Sequence, residues 1–61
     1  MKIVKTDNYG RDTESDVLVC ENINTAYGTI IVNMLNNDPN RHHEDYFELL
    51  SDDYKLYEWE Y

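Results

Sequence analysis

Cys20 is the only cysteine in 61 residues, and its solitude sets the terms on which such a chain can fold. No internal disulfide can form, and no Cys/His spacing outlines a structural metal cage. The staples that usually hold small scaffolds are therefore missing, and oligomerisation is the one left. A chain this short buries only about 60 % of the surface it exposes unfolded. One small domain spanning residues 1–61, with a thin margin of stability, is expected. A lone thiol fits a reducing compartment, so the expected location is cytoplasmic. The longest aliphatic run, Ile30-Ile31-Val32, is far below the ~20 residues that cross a bilayer. The start of the chain lacks the layout of a signal peptide. No membrane partner is expected.

Charge narrows the partners further. Thirteen Asp and Glu face five Lys and Arg, for a net charge of −8. Nucleic-acid binding draws its affinity from Lys and Arg displacing counterions, so direct binding to DNA or RNA is not expected. Acidic disordered tails are poor in aromatics, whereas this chain has six Tyr, a Trp and a Phe, and should fold. The acids concentrate late: Glu44, Asp45, Glu48, Asp52, Asp53, Glu58 and Glu60 are accompanied by one Lys. Such a run serves solubility, or it attracts a basic groove on another protein.

Periodicity reads as follows. Residues 2–6 form a first strand around Ile3 and Val4, and Asp7, Asn8 and Gly10 form a turn. Residues 17–21 form the clearest strand, mostly β-branched and bounded by acids. Asn24 is a helix N-cap. Tyr27, Ile30, Ile31, Met34 and Leu35 follow at i, i+3, i+4, i+7 and i+8, the stripe of an amphipathic helix. Gly28 within it hints at close packing, and Pro39 ends it. A polar loop leads to a third strand at 46–50, a turn at Ser51-Asp52-Asp53 and a fourth strand at 54–61. The expected fold is α+β: a small, mainly antiparallel sheet in the order β-β-α-β-β, with one amphipathic helix on one face.

One helix covers one face of a sheet. Yet the last two strands carry large side chains on both sides: Tyr46 and Leu50 against Phe47 and Leu49, then Tyr54 and Leu56 against Tyr57, Trp59 and Tyr61. The surplus points to an interface, with self-association as a dimer through Tyr54, Tyr57, Trp59 and Tyr61. The first expected function is docking on a protein partner with a basic surface, blocking a nucleic-acid-binding groove, and self-association, with the acids serving solubility only, is the alternative. Glu44, Asp45, Glu48, Asp52, Asp53, Glu58, Trp59 and Glu60 would carry that docking. On a strand, Glu58 and Glu60 lie roughly 6.7 Å apart, a spacing that imitates the repeating charge of a nucleic-acid backbone.

Residues with reactive side chains fall short of a site. His42 and His43 are adjacent, so regular structure points them to different sides, and an ion would need further ligands. Cys20 sits inside the second strand, where it packs as a small, inert hydrophobe. The carboxylate pairs lack a cleft to shift their pKa values, and Gly10 and Gly28 are isolated, so no phosphate-cradling loop exists. No cofactor, no metal and no enzymatic activity are expected.

The opening Lys2-Ile3-Val4-Lys5-Thr6-Asp7-Asn8-Tyr9-Gly10-Arg11-Asp12 and the closing Asp52-Asp53-Tyr54-Lys55-Leu56-Tyr57 resemble small uncharacterised proteins of phages and prophage-bearing bacteria. In those, the two motifs likewise bracket a strand, a helix and a polar loop. The resemblance covers about a quarter of the chain directly and implies a viral or mobile-element origin. That family has no assigned activity, so it lends no functional residues. Physically, the opening reads as a turn tied by Arg11 and Asp12, and the close as a turn feeding a strand.

Overall fold

Ile3 and Val4 are the two fully buried hydrophobic side chains among the described residues, and they are neighbours on one strand. Successive strand residues point to opposite faces, so both faces of the sheet are covered. The computed structural model, which describes residues 1–11 and 13–59, shows how. Strands β1 (Lys2–Asp7), β2 (Val17–Cys20) and β3 (Asp45–Leu50) form a sheet in the order β2-β1-β3, with the helix α1 (Thr25–Asn37) between β2 and β3 in the chain. Both outer strands run antiparallel to β1, so they are parallel to each other and the helix carries the chain across β1. The fold is α+β with three strands.

Register assigns the faces. Ile3 pairs with Leu49 and Lys5 with Phe47, and these four share the face on which the helix lies. Cys20 joins them through Ile3 and Val17 through Lys5, with a bulge of β2 between these pairs. Lys2, Val4, Thr6, Glu48 and Leu50 take the opposite face by the same register.

The helix begins where its sequence says it should. The Asn24 side chain accepts from the Ala26 N–H at 2.7 Å, satisfying one orphan amide of the first turn. It stops at Asp38, whose extended backbone is the conformation favoured before Pro39. Its packing face, however, is not the predicted stripe. Gly28 is buried and Val32, Leu35 and Asn36 are half-buried, while Tyr27, Ile30, Ile31 and Met34 are exposed. Gly28 sets this rotation, because a Cβ there would lie 2.6 Å from Leu49 Cδ1. Asn36 locks it. Its side chain donates to the Phe47 carbonyl and accepts from the Phe47 N–H, both at 2.9 Å. That amide stands in for a missing neighbour strand and blunts the outer edge of β3.

The expected fourth strand is not formed among the described residues, and Glu60 and Tyr61 lie outside them. Instead, residues 54–59 run as an extended strap over the face away from the helix. Lys2 Nζ donates to the Tyr54 carbonyl at 2.9 Å, the Asp16 N–H to the Tyr57 carbonyl at 2.8 Å, and the Trp59 N–H to Ser15 Oγ at 2.9 Å. Val4 points to that face by register and is fully buried. A fourth strand would need a free edge; Asn36 occupies that of β3, and at the β2 edge the strap bonds Ser15 and Asp16, which precede the strand. The strap's backbone finds partners on Lys2, Ser15 and Asp16 instead. Two smaller corrections follow. β2 ends at Cys20, and Cys20 is only half-buried because the helix lies over β3 and β1 and stops short of β2.

Candidate functional site

Acidic side chains are sorted here by what already holds them. At one end of the slab, Asp7 accepts from the Arg11 side chain at 2.7 and 3.0 Å and from its backbone N–H at 2.7 Å. The Arg11 fork holds the Asp7 carboxyl down at about 2, and Asp7 in turn raises the Arg11 guanidinium above its ordinary value. The turn is thus tied as expected of Arg11, while Asp12 lies outside the described residues. Glu44 reaches Arg11 at 3.7 Å and His42 at 3.5 Å, and Asp45 pairs with Lys5 at 3.4 Å. A cleft of about 120 Å³ opens here, lined by Lys5, Asp7, Arg11, Glu14, Glu44 and Asp45 among others. Two cations there are shared among four carboxylates, so the cleft stays net acidic.

At the other end of β3, Asp52 takes the Met1 amino group at 3.1 Å. Glu44 and Asp45 are separated from Asp52 by the length of the strand, about 17 Å. The eight residues expected to dock a basic partner therefore do not form one stripe. Glu44, Asp45 and Asp52 are drawn into ion pairs. Glu48 lies on the strap face, Asp53 sits in the turn at its edge, and Glu58 and Trp59 belong to the strap itself. Among the described residues no ion pair holds Glu48, Asp53 or Glu58. Residues 54–59 pair with no strand, and the expected Glu58–Glu60 spacing ends on a residue outside the described ones.

Of the residues expected to mediate self-association, Tyr54 is half-buried and its hydroxyl donates to Asp16 Oδ2 at 2.6 Å. The same oxygen accepts the Tyr57 N–H at 2.9 Å. Tyr57 and Trp59 are partly exposed beside it, and Tyr61 is outside the described residues. Asp16 thus anchors the strap, and pattern reading missed it because it looked like one more acid in a polar connection. His42 and His43 stack face to face at 5.0 Å, with Tyr9 edge-on to His43 at 6.2 Å. No group of three or more His, Cys, Asp or Glu able to hold a metal occurs among the described residues.

The apolar surface lies on the other side. Tyr27 is 68 % exposed, Met34 67 %, Ile30 54 % and Val17 48 %. From Thr25 to Asn37 the chain has no charged residue, whereas 30 % of the whole chain is charged. That contrast was readable in the sequence, but the stripe was assigned to the core. The molecule is a slab with Cα extents of 36 × 30 × 13 Å: the helix on one broad face is free of charge, while the strap face mixes exposed Leu18, Tyr46, Tyr57 and Trp59 with Glu48 and Glu58. No helix among the described residues is long and apolar enough to cross a membrane. No family model, no curated protein and no solved structure matches this chain. Function is therefore read from the two faces.

Proposed function

We propose that this is a non-catalytic binding protein that docks its acidic strap face on the basic surface of a protein partner. The observation that carries the reading is the segregation of charge. Of the carboxylates without an ion pair among the described residues, Asp16, Glu48, Asp53 and Glu58 gather around the strap, Glu21 and Asp38 stand outside the two ends of the helix, and α1 itself carries none. A one-sided negative field steers a basic surface into register and speeds encounter. Proteins that bind nucleic acids are the class richest in such surfaces. Blocking their grooves is the effect expected of a bound slab 36 × 30 Å across its broad face. Imitation of a regular phosphate spacing is not needed for this. The likeness of the opening and closing segments to phage proteins makes a host protein the natural partner.

The test is capture from a bacterial lysate on the immobilised chain. Basic nucleic-acid-binding proteins should be retained at about 50 mM salt and released by about 500 mM, where the screening length drops to a few ångströms. The combined Glu48→Gln, Asp53→Asn and Glu58→Gln variant should lose them. Retention of the same proteins by that variant, or release indifferent to salt, refutes the reading.

A further inference from the structure

We infer that the charge-free face of α1 is where a second copy of this chain docks, two helices packing antiparallel about a two-fold axis between Ile30 and Ile31. This is a different face from the acidic one and stands or falls separately from it. The orientation comes from the two contacts that fix the helix. Asn36 hangs over the outer edge of β3, and Gly28 rests on Leu49. At about 100° per residue, the flank bearing Tyr27, Ile31 and Met34 then turns the opposite way, towards β1 and β2, with Ile30 outermost. Below that flank lies the part of the sheet the helix leaves open, where Val17 is 48 % exposed and Cys20 half-buried. Helix flank and open strand make one apolar step.

Charge decides what covers it. Two molecules of net charge −8 meet most easily where neither brings a carboxylate, and α1 and the neighbouring β2 are the elements with none. A basic partner would gain nothing from this face, because its attraction lies on the other. The stripe is also self-complementary. A two-fold axis between positions 30 and 31 sets Ile30 against Ile31 of the second copy and Tyr27 against Met34, a sulfur–aromatic contact. Area permits it as well. A compact protein of 7.3 kDa is expected to expose about 4,200 Å², and this chain exposes 4564 Å². Its broad face of 36 × 30 Å is large enough for the ~800 Å² per partner of a standard interface.

Sedimentation equilibrium of the full chain tests this, at loadings from about 1 µM to about 500 µM, the weak end of what interfaces of this size show. The chain should be a dimer over the upper part of that range. Ile30→Glu should weaken association by about 100-fold or more, since it buries two carboxylates, each against Ile31 of the other copy, with an unchanged circular dichroism spectrum because the site is exposed. Met34→Glu is the second variant, should the first disturb the fold. The Glu48→Gln, Asp53→Asn and Glu58→Gln variant should still dimerise, and Ile30→Glu should still capture basic proteins, so the two proposals fail separately. Added salt should hold or tighten the dimer by relieving repulsion. A monomer throughout, dimers that survive both helix variants, or dimers that salt dissolves would each overturn it.

Discussion

The Tyr54 hydroxyl is the point at which the strap is fastened to the rest of the molecule. It donates to Asp16 Oδ2 at 2.6 Å, and that oxygen also takes the Tyr57 N–H. The hydrogen bond to Asp16, then burial, then the charges of Asp16 and Glu48 push the Tyr54 phenol up to about 12. The sign follows from linkage. The folded state holds this proton more tightly than the unfolded chain, whose phenol titrates near its ordinary 10. The contribution to stability is therefore whole below pH 10 and is lost as pH rises through about 12. In an ultraviolet titration of tyrosinate, Tyr54 should be the last to ionise, in step with release of the strap. Tyr54→Phe should remove that late step and cost about 1 kcal/mol at neutral pH, the usual worth of one such hydrogen bond. A late step that survives the substitution belongs to another tyrosine and refutes the assignment.

Among the elements, α1 separates what local pattern can specify from what it cannot. Its ends were legible, because Asn24 and Pro39 act on their own neighbours. The three strands were legible to within a residue or so, since β-branched runs between turn formers have few other solutions. The face of the helix was not. Periodicity located an apolar stripe, but a stripe says nothing about whether sheet or second molecule covers it, and Gly28 and Asn36 settled the rotation through contacts with Leu49 and Phe47. The strap was misread as a strand for a similar reason. Its partners, Ser15, Asp16 and Lys2, lie about 40 or more residues away. Gly28 allows a direct check. In an open helix Gly→Ala gains up to about 1 kcal/mol, but here the new methyl meets both Leu49 methyls and Ile23 Cγ2. Gly28→Ala should thus lower stability by about 1 kcal/mol in urea unfolding, through forced repacking. In a Leu49→Ala background the same change should raise stability by a similar amount. A gain in both backgrounds would mean that the helix does not sit where Gly28 puts it.

For the whole molecule the deciding quantity is the balance of charge against a very small core, with two hydrophobic side chains fully buried among the described residues. Salt acts on this balance in opposite directions. It weakens the native ion pairs, of which Lys5–Asp45 at 3.4 Å, Arg11–Asp7 at 2.7 Å and the Met1 amino group with Asp52 at 3.1 Å are the main ones. It also relieves the self-repulsion of a chain with eight uncompensated negative charges. Pairs this close to solvent contribute little each, and contacts held by several hydrogen bonds, as between Asp7 and Arg11, lose little on screening. The repulsion acts between carboxylates spread over a slab 13 Å thick. Those distances are comparable with the screening length at about 0.1 M salt, so repulsion is the part that salt removes most. Relief should win. In the monomeric Ile30→Glu background, where association cannot contribute, the urea midpoint should rise between about 20 mM and about 500 mM NaCl with the slope m unchanged. Sodium sulfate stabilises by surface exclusion as well as by screening, so the chloride series is the diagnostic one. A midpoint that falls would show that the ion pairs outweigh the repulsion. The acidic face would then be part of what holds the monomer together, and partner binding at that face would have to compete with folding.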